Sequence, residues 1–303
     1  MKILIVGLGS IAKKHIDLIN SFNYQTTIYA YRSKNESEKY HNVININSWE
    51  KVSKINFSFA LITSPSSFHY RHLKKILEFK IPVIIEKPIC ITRNQFNKLK
   101  TLKNQPIIYV AYNMRFHPLI SFTKKLLKAN NQKILEVNCY CGSYLPNWRK
   151  KNYKNTYSVS KKLGGGVLFD LSHEIDYLIY LFGYPKKKTI MKKKISDITN
   201  DSDDYANILM EYDNFYCNLT LNYFRRDSKR NLEIVMDKTT IDVDFVKNQI
   251  IDLKNDKILY KKKENLMQKS YLLQLEYWFD CLGQNKVPIN NLDESLEIID
   301  LIL

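Results

Sequence analysis

Ile3-Leu4-Ile5-Val6-Gly7-Leu8-Gly9-Ser10-Ile11-Ala12 is the stretch whose reading decides the fold. Four consecutive apolar residues suit a strand covered on both faces, as in a parallel sheet. Two glycines follow, and then Ile11, His15, Leu18, Ile19 and Phe22 recur at helical spacing. A strand, a glycine turn and a helix in direct succession open a dinucleotide-binding unit. Gly7 permits the tight turn, and Gly9 lets a pyrophosphate approach the backbone. Ala12 stands where a third glycine is common and still allows close helix–strand packing. Ser10 and Ile11 belong to the same loop and are counted with the cofactor site. The alternative is a strand–turn–helix that holds no ligand.

Outward from this stretch the chain alternates strands with helices for about 120 residues, which predicts a doubly wound parallel sheet. The second strand is expected over Thr26–Tyr31, and an acidic residue at its end would bond the ribose hydroxyls. Arg32-Ser33-Lys34 stands there instead. Arg32 and Ser33 suit a 2′-phosphate, and Arg32 equally suits stacking on adenine. The cofactor is therefore NAD or NADP, leaning to NADP. A third buried strand, Phe57–Ile62, runs into Thr63-Ser64-Pro65-Ser66-Ser67-Phe68-His69 at the carboxyl edge, where ligands bind. After a helix to Glu78, the strand Ile81–Ile85 ends in Glu86-Lys87-Pro88. Two charges directly after a buried strand point to a Glu and a Lys held at the cofactor's reactive end, a solvated loop being the alternative. A cis bond before Pro88 is one way to lock the turn. Ile107–Ala111 closes this half.

Beyond about residue 118 the pattern changes. Alternation over Ile134–Tyr144, further strand-like runs from Tyr205 to Tyr260 and the turn at Asp213-Asn214 predict an antiparallel sheet built from hairpins. One helix follows Gly166, and two more lie over Leu266–Leu282 and Asp293–Ile302. The expected division is 1–118 and 119–303, with the last helix able to pack back on the first domain. Within the second part lies Gly164-Gly165-Gly166-Val167-Leu168-Phe169-Asp170-Leu171-Ser172-His173-Glu174-Ile175-Asp176. A helix there places Asp170 and His173 three residues apart on one face, a carboxylate beside an imidazole that suits general acid–base work. A surface pair or a helix cap is the alternative. Upstream, Tyr144, Trp148, Arg149, Tyr153 and Tyr157 read either as a sugar-binding wall or as an aromatic loop packed on the sheet.

The 303 residues carry a formal net charge of +17, yet the basic residues are scattered apart from Lys186–Lys188, Lys192–Lys194 and Lys261–Lys263. No nucleic-acid motif accompanies them. They read as solvated lysines on loops and exposed faces, with a phosphate-bearing substrate as the functional alternative. No apolar run approaches a membrane span, and the start of the chain stops being apolar too early for a signal peptide. The cytoplasm is the expected compartment. Cys90, Cys139, Cys141, Cys217 and Cys281 lack metal-like spacing and are expected to be buried free thiols, so no metal is expected.

These motifs together resemble the Gfo/Idh/MocA family of NAD(P)-dependent oxidoreductases. The likeness rests on Gly7 to Ala12, Thr63 to His69, Glu86-Lys87-Pro88, Tyr112 to Pro118 and Gly164 to Asp176. It implies an N-terminal Rossmann domain and a C-terminal α+β domain with a large, mostly antiparallel sheet. It also implies hydride transfer to or from a hydroxyl or keto carbon of a sugar, sugar phosphate or nucleotide sugar, and a homodimer or homotetramer. The stretch Tyr144 to Arg149 is similar to a bacterial branch associated with surface-sugar synthesis. The resemblance implies that Gly7, Gly9, Ser10, Ile11, Ala12, Arg32, Ser33, Thr63, Ser64, Pro65, His69, Glu86, Lys87 and Asn113 hold the cofactor. It implies that Arg115, Tyr144, Trp148, Arg149 and Tyr157 hold the substrate, with Lys87, Asp170 and His173 catalytic. Many members space the Asp and His four residues apart rather than three. A non-catalytic NAD(P)- or sugar-binding protein on the same fold is the alternative function.

Overall fold

The computed structural model describes residues 1–32, 40–129, 132–148 and 152–303. By its contacts the chain divides into two units, one of residues 1–112 with 271–303 and one of residues 113–270.

In the first unit, β1 (Lys2–Val6) buries Ile3 through Val6 completely, because strands lie on both sides of it and helices cover its faces. It leads into α1 (Ser10–Ser21), followed by β2 (Thr27–Tyr31), β3 (Ile44–Ile46) and α2 (Trp49–Ser53). Then come β4 (Phe59–Ile62), α3 (Ser66–Glu78), β5 (Val83–Ile85), α4 (Arg93–Lys100) and β6 (Ile108–Val110). The six strands are all parallel, in the order β3-β2-β1-β4-β5-β6. The order reverses between β1 and β4, and the loops after those two strands meet at the carboxyl edge, where such sheets bind ligands. Strand β3 and helices α2 and α4 were not placed by the sequence reading. Strand β3 is three residues long and half exposed, too short for periodicity to register. Helix α2 is announced only by its cap, Ser48, whose side chain accepts from the Lys51 amide.

The second unit begins with a short 3₁₀ turn, Asn113–Phe116, then α5 (Pro118–Ala129) and β7 (Ile134–Gly142). Helices α6 (Val167–Asp170) and α7 (Ser172–Phe182) precede β8 (Lys187–Lys193), β9 (Tyr205–Glu211), β10 (Tyr216–Asn222), β11 (Lys229–Met236), β12 (Thr240–Asp244), β13 (Gln249–Asp252) and β14 (Lys257–Lys261). The eight strands run β14-β13-β12-β11-β7-β10-β9-β8, antiparallel throughout except for the parallel pair β7–β10. Strand β8 is a departure from the sequence reading, which assigned its lysines no strand. It is an edge strand exposed almost throughout, so no apolar alternation marks it, and its lysines guard the open edge against pairing with another chain.

The chain returns to the first unit in α8 (Leu266–Gln284) and α9 (Leu292–Ile302). Trp278 is fully buried, stacked on Tyr109 of β6 at 5.8 Å and edge-on to Phe59 of β4. The Val110 amide donates to the Asn290 carbonyl, and Arg93 of α4 pairs with Asp300 of α9. All five cysteines are buried, and no disulfide forms among the described residues.

Candidate active site

Two sets of candidate residues stand out, and each lies within one unit. In the first unit the cradle is shaped by backbone. Gly7 has φ +95°, and a Cβ there would meet the Ser64 backbone at 2.9 Å, so the close approach of the loops after β1 and β4 requires glycine. Thr63 Oγ1 donates to the Gly7 carbonyl at 2.6 Å and ties the same two loops. Gly9 caps α1 in extended conformation, has no side-chain cap, and faces open space where a Cβ would sit. The first-turn amides of a 12-residue helix, with its positive dipole end, are thereby presented to an anion. Ser10 and Ile11 form that turn, and Ala12 is fully buried against the sheet.

Beside this cradle is a cavity of about 380 Å³, within the range of small-molecule sites, lined among others by Gly7, Arg32, Trp49, Ser64, Arg71 and His72. Pro65 also borders it. Trp49 stacks on Tyr31 with centroids 3.9 Å apart, giving the wall a flat aromatic surface. His72 Nδ1 lies 2.8 Å from Ser64 Oγ. Burial, then the nearby His69 and Arg71, lowers the His72 pKa to about 4, so its ring is neutral and the two arginines supply the positive charge. Trp49, Arg71 and His72 were missed in the sequence. Trp49 sits on the unread α2, and Arg71 and His72 lie in the helix expected to end at Glu78, where neither was given a role. Ser33, expected beside Arg32, lies outside the described residues.

Two residues assigned to the cofactor brace the loops. His69, 1% exposed, sets Nε2 2.7 Å from the Ser64 carbonyl and Nδ1 2.7 Å from the Pro88 carbonyl. Burial lowers its pKa, so the neutral ring donates to one of the two. Glu86 Oε1 contacts His15 Nε2 of α1 at 2.8 Å, fastening the end of β5 to the cradle helix. Lys87 follows, half-buried, and its bond to Pro88 is cis. Burial lowers the pKa of Lys14, which lies 3.5 Å over the Tyr271 ring, while Glu86 raises it.

In the second unit, Gly165 presses against the Tyr157–Ser158 backbone, where a Cβ would meet the Tyr157 carbonyl at 2.2 Å. Tyr157 is itself half-buried. Asp170 and His173 do not share one helix. Leu171 breaks α6 from α7 at φ −103°, ψ 21°, so the single-helix reading of this stretch is corrected. Asp170 is buried and accepts from Tyr223 Oη at 2.8 Å. His173 remains partly exposed, with Nε2 3.1 Å from Glu174 Oε1. Trp148 meets Tyr223 edge-on at 5.3 Å and donates from Nε1 to Ser143 Oγ. Arg226 lies 3.7 Å over the Tyr144 ring. This aromatic wall is therefore packed on the end of the sheet and keeps accessible surface. Arg115 is buried in a two-pronged contact with Asp176, Nε at 3.0 Å and Nη2 at 2.9 Å, which ties the 3₁₀ turn to α7. Asn113 donates to Ser270 Oγ at 2.8 Å. Arg149 lies outside the described residues. Among the described residues no three His, Cys, Asp or Glu side chains group as metal ligands, and no helix is long and apolar enough to cross a membrane.

Comparison with known proteins agrees with both halves. The model of the oxidoreductase family with NAD-binding Rossmann fold matches residues 1–112, and that of the GFO/IDH/MocA C-terminal domain matches residues 132–242. The scyllo-inositol 2-dehydrogenase (NADP(+)) of Bacillus subtilis is 27% identical over 157 residues, 50% of this chain and 42% of that protein. The 2,7-anhydro-N-acetylneuraminate hydratase of Mediterraneibacter gnavus is 24% identical over 171 residues, 54% of this chain and 45% of the relative. The chain thus spans less than half the length of these curated relatives. Among solved structures, the WlbA dehydrogenase of Bordetella pertussis, in complex with NADH and UDP-GlcNAcA, superimposes with a TM-score of 0.83 at 16% identity, covering 100% of this chain and 93% of the other. At that identity the likeness is one of fold.

Proposed function

Since the chain belongs to the Gfo/Idh/MocA family of oxidoreductases, we propose that it transfers a hydride between NAD(P) and a hydroxyl or keto carbon of a sugar, sugar phosphate or nucleotide sugar. The observation that carries this reading is one chain holding an uncapped helix N-terminus beside an arginine-lined cavity, a half-buried lysine at the end of β5, and an imidazole in contact with a buried carboxylate. The cradle fits a dinucleotide: the open space at Gly9 and the α1 amides suit a pyrophosphate, and the stacked Tyr31–Trp49 pair offers a planar face to adenine. Arg32 with Arg71 suits a 2′-phosphate, which favours NADP. When bound, NAD(P) supplies the two-electron hydride acceptor or donor.

The chain's own groups handle the proton and the charge. In the direction of oxidation, His173 accepts the hydroxyl proton, and Lys87 donates a hydrogen bond to the same oxygen and stabilises developing alkoxide charge. The lysine and the histidine exchange these roles if Lys87 is the neutral partner. Asp170, fixed by Tyr223, orients this pair. Tyr144, Trp148 and Tyr157 offer the aromatic faces against which the sugar lies, and Arg149, next to Trp148 in sequence, is a candidate for its hydroxyls or phosphate.

The test is a panel of sugars, sugar phosphates and nucleotide sugars with NAD and with NADP, followed at the nicotinamide absorbance band and by product analysis. A substrate-dependent absorbance change is the expected result. Tight binding with no turnover would make the chain a binding protein. Turnover without net absorbance change would place it with the hydratase relatives, because adding water moves no electrons overall.

A further inference from the structure

A buried charge pair stands behind His173, and no local spacing marks it. Glu174 is fully buried on α7. Its Oε1 lies 2.5 Å from Nη2 of Arg230 on β11 and 3.1 Å from Nε2 of His173. Neither contact is aligned as a hydrogen bond, and Arg230 Nε is buried without a hydrogen-bond partner among the described residues. The Glu174–Arg230 contact therefore acts by charge attraction, which is strong in a site shielded from water, and the same oxygen lies near enough to Nε2 of His173 to favour a proton on that nitrogen. The other carboxylate oxygen accepts from Tyr177 Oη at 2.8 Å, and the Cys139 thiol lies 3.0 Å from that hydroxyl. The Arg230 guanidinium also covers the Phe245 ring at 5.1 Å, against which His117 packs edge-on at 5.4 Å.

The titratable groups facing this pair are Tyr177 on the same helix, Cys139 and Cys141 on β7, Arg230 on β11 and His117 before α5. Burial pushes the Cys139 thiol and the Tyr177 phenol well above their ordinary values, so both are neutral. Burial, with Arg230, lowers His117 to about 3, and it too is neutral. Burial opposes charge on Glu174 as well, but Arg230, His173 and the Tyr177 hydrogen bond outweigh it, and the carboxyl falls to about 2. Burial likewise opposes the Arg230 charge, and Glu174 more than compensates. Asp170 and Asp176 are engaged elsewhere, with Tyr223 and Arg115. Glu174 and Arg230 thus stand behind His173 as a buried anion and cation in contact.

We propose that the Glu174–Arg230 pair positions His173: Glu174 draws the proton of Nε2, leaving Nδ1 as the nitrogen that exchanges a proton with substrate, and Arg230 offsets enough of the carboxylate charge to keep the imidazole from being permanently charged. Glu174 and Arg230 are positioning residues that act through His173. The inference rests on the catalytic reading of His173 given above. Its physical signature is a pair of opposite shifts. Removing the anion, which lies against Nε2, makes His173 less basic by about one pH unit, and removing the cation, which touches only the far side of that carboxylate, makes it more basic by a smaller amount.

The test is histidine-ring NMR titration of the whole protein labelled in its six histidines, with the His173 signal assigned by its loss in His173→Asn. The expected result is a lower His173 midpoint in Glu174→Gln, a higher one in Arg230→Gln and an almost unmoved one in Arg230→Lys. The acid limb of the kcat profile should follow in the same directions, with KM for the cofactor unchanged. Should a single substitution unfold the protein, Glu174→Met/Arg230→Met replaces the pair by apolar side chains of similar size and keeps the fold. Its His173 midpoint should fall below the parent's. A midpoint unmoved in Glu174→Gln and Arg230→Gln, or equal to the parent's in the double variant, overturns the positioning role even if kcat declines. Full turnover in His173→Ala overturns instead the catalytic reading beneath it, on a separate measurement.

Discussion

In the first unit, Gly7, Gly9 and the amides of α1 make the cradle from main chain, and side chains such as Thr63 and His69 only hold the loops in register. In the second unit the candidate acid–base segment is built from side chains. Asp170 needs Tyr223, 53 residues away, and Glu174 needs Arg230, 56 residues away on β11. A main-chain site is robust to change in its surroundings but intolerant of any Cβ. A side-chain site tolerates local change and fails when a distant partner is lost.

The largest expected effect breaks the comparison at its chemical end. Lys87→Ala or His173→Ala should lower kcat by about 10²–10⁴, the usual contribution of positioned acid–base groups. Calorimetric binding of NAD(P) should stay close to wild type. Loss of cofactor binding in His173→Ala would mean that the two sets of residues are not separable functions.

Next comes the cradle. Gly7→Ala must adopt φ +95° and drive a Cβ into the Ser64 backbone, so a destabilisation of about 3 kcal/mol and a loss of cofactor affinity are expected by urea unfolding and titration. Gly9→Ala sharpens the point. Its Cβ meets no protein atom within 4 Å, so stability should change by less than about 1 kcal/mol while cofactor affinity drops. Unchanged affinity would remove the pyrophosphate from this loop.

Acid should act on both units, for different reasons. His69 and His72 in the first, and His117 in the second, are held neutral by burial, with pKa values lowered from 6.5. Their contribution is complete above pH 6.5 and declines as pH falls through that value. Glu174 has its pKa lowered from 4.5 to about 2, so its contribution is complete above 4.5 and is lost as pH falls toward 2. Urea midpoints should therefore drop first between pH 6.5 and 4.5. A variant Glu174→Gln should lose part of the further drop below 4.5 and none of the earlier one.

The smallest effect concerns cofactor choice. Arg32→Ala should reduce kcat/KM with NADP by about 10-fold, the value of one charged hydrogen bond, and with NAD far less. Equal losses with both would assign Arg32 to adenine stacking.

Much of this architecture could be read from residues alone. The run Ile3 to Val6 and the glycines after it declare a buried parallel strand and its turn, and Val137, Cys139 and Cys141 form the buried face of β7, although Leu135, read into the same alternation, is exposed at the start of the strand. Strand β8 and helix α2 were illegible because an edge strand of lysines and a five-residue helix bury too little to impose a pattern. Glu174 was read as one more charge in a helical stretch. What distinguishes it is a partner on β11, and no local spacing encodes that.

By itself, then, the sequence determined the order of elements, the dinucleotide turn and the candidates Lys87, Asp170 and His173, since each depends on neighbours a few residues away. Tertiary structure alone decided that Glu86 fastens His15, that Arg115 is spent on Asp176, that Leu171 parts Asp170 from His173, and that Arg230 stands behind Glu174. The physical reason is that a charge acquires its role from what burial removes around it and from the one opposite charge left within reach.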